Sequence, residues 1–161
     1  AINGVQDRVA IVQGDLLRPP PTLPPGIFDH VIANPPYMPA GRADAPPDRS
    51  KAIAHIEGEA TLADWVGCAL RMVAPKGGIT FIHRADRLDE LLALLHGRTG
   101  GIVVFPLWPK PGREAKRVIV RARTGVRTPS RLAPGLVLHN EDGSYTAEAL
   151  AVLRDGAAMT L

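Results

Sequence analysis

The feature that most constrains this chain is the tetrapeptide Asn34-Pro35-Pro36-Tyr37, directly after the apolar run Ile27-Phe28-Asp29-His30-Val31-Ile32-Ala33. Each proline holds φ near about −65° and carries no N–H, and a residue before proline is driven into extended geometry. Asn34 and Pro35 both precede a proline, so the strand predicted over 27–33 must end in a stiff, non-helical ledge. The Asn34 side-chain oxygen and the Pro35 carbonyl can together accept both hydrogens of an exocyclic amine. Such a pair of bonds draws the nitrogen toward sp3 character and aims its lone pair at an electrophile. Tyr37 adds a flat surface for a base or amide plane, and base–aromatic stacking is worth roughly 1–3 kcal/mol. The plainer alternative is an Asn-Pro turn closing a strand.

Around this ledge the chain reads as α/β. Residues 8–13 form a short apolar strand, closed by Gly14-Asp15-Leu16-Leu17, and a proline-rich connector over 18–26 leads to the strand at 27–33. Residues 38–60, with Pro39, Gly41, Pro46 and Pro47, read as a long loop in which Arg42, Arg49 and Lys51 could cover a target. Thr61 with Asp64 predicts a capping box for a helix through about Val73. Its Leu62, Trp65, Val66, Ala69, Leu70 and Val73 follow one core-facing stripe. Pro75-Lys76-Gly77-Gly78 stops that helix and turns into a strand at 79–83, and a second helix over 88–96 ends at Gly97. Strands follow at 102–106 and 117–123, then a strand at 136–139 and a helix at 146–153. There is no internal repeat. Alternating strands and helices predict a mostly parallel sheet with helices on both faces.

At 161 residues and 45% hydrophobic, the chain suffices for one domain with a real core. No apolar run approaches the ~20 residues that span a bilayer, and no secretory signal opens the sequence, so a soluble cytoplasmic protein is expected. The single Cys68 excludes an internal disulfide and falls on the apolar side of its helix, as a core thiol would. The histidines are scattered without zinc spacing, so no metal is expected.

The segment from Phe28 to Tyr37 resembles the fourth strand and catalytic motif of S-adenosylmethionine-dependent methyltransferases that act on planar nitrogens. Downstream, Ala54-His55-Ile56-Glu57, Thr61-Leu62-Ala63-Asp64-Trp65 and His83-Arg84-Ala85-Asp86-Arg87-Leu88 resemble the bacterial tRNA (adenine-N6)-methyltransferases. Leu136-Val137-Leu138-His139 and Gly143-Ser144-Tyr145-Thr146 fit the same group. The resemblance implies a Rossmann-like class I methyltransferase fold, S-adenosylmethionine as cofactor and tRNA as partner. It covers nearly the whole chain but only the later part of the family's domain.

That fold ordinarily begins with a strand, a Gly-rich turn and a second strand ending in an acid, and no G-x-G cluster follows an early strand here. The chain also starts at Ala1. It is therefore expected to be part of a longer methyltransferase, missing the fold's first two strands and inactive alone. Residues 1–131 would be the later portion of the Rossmann-like domain and 132–161 a strand–helix extension of it. Exposed strand edges would favour a homodimer.

By resemblance, Asn34, Pro35, Pro36 and Tyr37 are the catalytic residues, and Asp15, Leu16 and Asn34 contact the cofactor. Asp15 reads equally as a turn or cap residue. Net charge is +3 with pI near 9.4, and the cations cluster: Lys110, Arg113, Lys116, Arg117, Arg121, Arg123, Arg127 and Arg131 face only Glu114. Beside Trp108, the first six suit phosphate contacts; the alternative is a solvated edge strand defended by charge. The function expected is methyl transfer to adenine N6 in tRNA. Protein glutamine or another RNA base is the second possibility, and a non-catalytic RNA-binding module the third.

Overall fold

In the computed structural model, which describes residues 4–5, 7–37 and 60–161, the run before the prolines forms β1 (Phe28–Ala33). Thr61 opens α1 (Leu62–Met72) through a reciprocal cap, in which Asp64 Oδ2 accepts the Thr61 backbone N–H at 2.9 Å and the Thr61 hydroxyl oxygen faces the Asp64 N–H. Leu62, Val66, Ala69 and Met72 are the buried face of α1, with Trp65 and Leu70 half-buried. The chain leaves the helix directly into β2 (Val73–Arg84). A single 3-10 turn leads to α2 (Leu88–Leu95), which stops where Gly97 takes φ 72°. β3 (Thr99–Trp108), β4 (Arg117–Thr124), the two-residue β5 (Arg131–Leu132) and β6 (Leu136–Val137), and α3 (Ala147–Leu153) capped by the Thr146 hydroxyl complete the order.

These strands make one sheet ordered β1-β2-β4-β3-β5, with β6 also on β3. Alternation along the strands separates two cores. Ile79, Phe81, Val104, Val118 and Val120 face α1 and α2. Phe105, Leu107 and Ile119 face the other way, against Leu136 and Ala149 of α3. The sheet is mostly parallel, as expected: β1, β2, β3, β5 and β6 run in one direction, and β4 alone is reversed, antiparallel to both β2 and β3. The reason for that reversal is connection length. Only residues 109–116 join β3 to β4, and a parallel return needs a crossover of a dozen residues or more.

The strand expected over 8–13 does not form. Ile11 is 94% exposed, and among the described residues the backbone there hydrogen-bonds locally, Val9 N–H to the Val5 carbonyl at 2.9 Å. An apolar run becomes a strand only beside another strand, and among the described residues none lies next to it. Among the described residues β1 likewise pairs on one side only, and its Ile32 is 75% exposed. The Pro75–Gly78 turn is a bulge inside β2: the register jumps from Phe28↔Val73 to His30↔Gly78. The loop expected over 38–60, with Arg42, Arg49, Lys51 and the 54–57 segment, lies outside the described residues except for Ala60.

Candidate active site and nucleic-acid interface

β1 and β2 run parallel, so their carboxyl ends open on the same edge, where α/β sheets receive ligands. The motif lies there. Pro35 is fully buried and anchors the ledge, while Asn34 is exposed and Pro36 and Tyr37 are half-buried. His83, near the end of β2 and fully buried, lies beneath Tyr37, with ring centroids 5.9 Å apart at 43°. The Arg117 guanidinium sits 5.3 Å from the Tyr37 centroid, within cation–π range. Arg84 pairs across the ladder with Arg117. It is neutralised by Asp86, whose Oδ1 accepts from Arg84 Nε at 2.8 Å; that guanidinium holds the Asp86 carboxyl below its ordinary range.

Tyr37, Arg84, Asp86, Glu114, Lys116 and Arg117 enclose a cavity of about 490 Å³ beside the motif. That is room for a base-sized group. Sequence reasoning assigned no role to His83, Arg84, Asp86 or Glu114. Two of these were accessible to it, because the carboxyl end of a strand parallel to β1 must lie beside the motif.

The six cations singled out divide in two. Lys110, Arg113, Lys116 and Arg117 lie on or at the foot of the 109–116 hairpin next to Tyr37. Arg123 lies six residues further along β4, about 20 Å away at strand rise. There its guanidinium donates to the Lys76 carbonyl at 3.0 Å. Arg121 faces His30, whose Nε2 meets Thr80 Oγ1 at 2.8 Å and whose imidazole is depressed in pKa by burial and then by Arg121. The edge-strand explanation of this stripe fails, because β4 is central, between β2 and β3. Arg127 and Arg131 lie after β4, Arg127 in an exposed loop and Arg131 in β5.

Asp15 is exposed, and its Oδ1 accepts the Leu17 N–H at 2.9 Å in a local turn; Leu16 is half-buried. Cys68 is half-buried, and burial pushes its thiol up in pKa against the opposing pull of Arg71. Among the described residues, no cluster of His, Cys, Asp or Glu is placed to hold a metal, and no helix is long and apolar enough to cross a membrane.

No protein-family model matches the chain. Over 125 residues it is 29% identical to the tRNA1(Val) (adenine(37)-N6)-methyltransferase of Aeromonas hydrophila, covering 74% of this chain and 49% of that protein. Its likeness to the enzyme of the same name from Actinobacillus pleuropneumoniae is 29% over 147 residues, 89% of this chain and 58% of the other. The rRNA N(6)-adenosine-methyltransferase metl-5 of Caenorhabditis elegans is 32% identical over 88 residues, 55% of this chain and 34% of that one. The chain thus spans about half the length of the curated relatives it matches. Among solved structures, a predicted O-methyltransferase from Agrobacterium tumefaciens superposes with TM-score 0.70 at 24% identity, over 91% of this chain and 63% of the other. The fold is therefore Rossmann-like, of the methyltransferase type.

Proposed function

We propose that this chain is the target-recognition half of an S-adenosylmethionine-dependent methyltransferase acting on the exocyclic N6 of adenine in tRNA. The observation that carries the reading is the Asn-Pro-Pro-Tyr ledge at the carboxyl end of a parallel strand, with a cationic hairpin against its tyrosine. The names of the relatives, which act on tRNA or rRNA adenine, support it.

The exposed Asn34 amide fits the place where donor and acceptor must meet, and Asp15 and Leu16 are proposed on the cofactor's adenine side. When bound, S-adenosylmethionine supplies an electrophilic methyl group. The chain's own residues hold the acceptor. The Asn34 side-chain oxygen and the Pro35 carbonyl accept the two amine hydrogens, and Tyr37 stacks on the base. The cations of the hairpin hold the backbone phosphates. Leaving its stack costs the adenine a few kcal/mol, less in a loop than in a duplex. Positioning supplies most of the acceleration, and the nitrogen's surplus proton passes to solvent.

The test compares methyl incorporation by the intact protein into tRNA and into a release factor. Transfer to tRNA is expected. Replacing Asn34→Ala should lower the transfer rate by roughly 100-fold or more, because alignment is lost, with a far smaller loss of donor affinity by calorimetry, because Asp15 and Leu16 keep their contacts to the donor. Equal turnover by the two proteins would sink the role of Asn34. Methylation of the release factor alone would move the substrate to protein glutamine.

A further inference from the structure

The cavity at Tyr37 has a neighbour. Glu114 and Lys116 line it on one side and also line a second cavity of about 860 Å³. The second cavity lies between the 109–116 hairpin, with Lys110 and Arg113, and the turn carrying His139 and Gly143.

Its two walls are bound together. Lys110 Nζ donates to the Glu141 carbonyl at 2.7 Å, and the Leu138 N–H reaches the Trp108 carbonyl at 2.8 Å. His139 Nδ1 lies 3.1 Å from the Pro109 carbonyl. A carbonyl only accepts, so Nδ1 carries the proton and the ring is fixed in that tautomer. Tyr145 stacks on this ring at 4.6 Å and 27°, yet remains 46% exposed. The turn between them is closed by Ser144 Oγ donating to Asp142 Oδ1 at 2.6 Å and by the Asn140 N–H to the Ser144 carbonyl at 2.8 Å.

We propose that this second cavity binds the nucleotide next to the target adenine in a single-stranded RNA loop. Arg113 and Lys116 receive its phosphate, and the ring of His139 on the cavity wall, extended outward by the exposed Tyr145 stacked on it, receives its base. The inference rests on the RNA reading above and adds a second contact to it. Single-stranded RNA is recognised by splayed bases stacked on aromatic, histidine or guanidinium planes. Both elements are prebuilt here: a fixed ring pair, and three cations, Lys110, Arg113 and Lys116, against Glu114 and against Asp142 of the opposite turn, which lies near Lys110. The wall shared through Glu114 and Lys116 makes the two cavities adjacent, as two successive nucleotides require. An acidic peptide could meet the same cations, but nothing in it would use a fixed stacking plane.

The experiment uses the intact protein and an RNA hairpin bearing one target adenine in its loop. The probes are the same hairpin made abasic on the 5′ side or the 3′ side of that adenine. On one side the abasic hairpin should bind roughly 5- to 140-fold more weakly, the loss of one stacked base. Tyr145→Ala should lose a similar factor with the parent hairpin and nothing further with that abasic one. Tyr145→Trp should restore binding, which separates loss of the plane from loss of folding. The inference is overturned if both abasic hairpins bind like the parent, or if the Tyr145→Ala and abasic losses multiply. With RNA transfer and its dependence on Asn34 intact, such a result removes the second cavity alone. If no hairpin binds while an acidic peptide does so through Arg113 and Lys116, the RNA reading falls with it.

Discussion

Gly135 and Gly143 offer a controlled measurement of what holds the 133–139 segment, and with it His139, against the sheet. Their φ values are nearly equal, +86° and +88°. A Cβ on Gly143 would meet nothing within 4 Å. One on Gly135 would overlap the Pro106 carbonyl oxygen and stand 2.7 Å from Trp108 Nε1. Both alanine variants bear the left-handed strain, about 1–2 kcal/mol, offset by about 0.4–1 kcal/mol of reduced unfolded-state entropy. Gly143→Ala should therefore cost between about 0 and 1.6 kcal/mol. Gly135→Ala must also move the segment off β3. That sacrifices the bond from Trp108 Nε1 to the Pro134 carbonyl (2.9 Å) and one of the flanking ladder bonds, Ala133 N–H to Val104 or Leu138 N–H to Trp108 (2.8 Å each). At about 1 kcal/mol each, the excess over Gly143→Ala is about 2 kcal/mol. In thermal unfolding of the intact protein this separates the two melting temperatures by about 4–8 °C for a domain of this size. Urea titrations of both variants, with the slope checked for constancy, give the difference directly. Agreement within about 0.5 kcal/mol would refute the argument that close backbone approach at Gly135 fixes the segment.

Other outcomes follow from single contacts. His30 is depressed in pKa by burial and Arg121, so its neutral form is favoured in the fold. Its contribution is complete above the ordinary histidine pKa and is lost as pH falls through that value toward the depressed one. Melting temperature should thus drop more steeply from pH 7.5 to 5 in the parent than in His30→Gln, and parallel curves would exclude the effect. Thr61→Ala removes the side-chain half of the α1 cap and should cost about 1 kcal/mol in denaturant titration, the usual value of an N-cap. Tyr37→Ala should weaken binding of an adenine-bearing RNA hairpin by about 1–3 kcal/mol, measured by fluorescence anisotropy, and Tyr37→Phe should keep most of it, because the ring supplies the contact.

What was legible in the sequence was local. β1 ending at the prolines, the Thr61–Asp64 cap, α2 before Gly97, and α3 after Thr146 each carry their signal within a few residues. Residues 8–13 carried an equally good apolar pattern and formed no strand, because a strand needs a neighbour that no local pattern supplies. β5 is the converse: Arg131 and Leu132 are both exposed and are placed only by lying against Val103 and Val104. Strand direction was within reach, since the stretch between Trp108 and Arg117 holds two prolines and a glycine but no helical pattern, which compels a hairpin. For the candidate site, the motif's position at a strand end was readable, and so was the length of β4 that parts Arg123 from Arg117. The pairing that brings His83 and Arg117 to Tyr37 was not, because it depends on register.

That register gives the basic stripe its meaning. Side chains on a strand alternate, so slipping β4 by one residue exchanges its faces. In the observed pairing, Val118 opposes His83 and Arg117 opposes Arg84. Val118, Val120 and Ala122 are then buried under α1 and α2, while Arg117, Arg121 and Arg123 face the other way. A slip would drive three guanidinium groups into that core, each costing several kcal/mol. It would also take two valines off the face buried under α1 and α2, where burying each is worth about 1.5–3 kcal/mol. Alternation of valine with arginine therefore locks the hairpin, and the lock carries Arg117 to the ring of Tyr37. A central strand has no edge to defend, and charge on the face of β4 opposite Val118 and Val120 gains nothing for the core. Arg121 and Arg123 fix the pairing further along β4, and Arg117 alone of the three leaves its charge beside the amide ledge, where a polyanion is the partner that would use it.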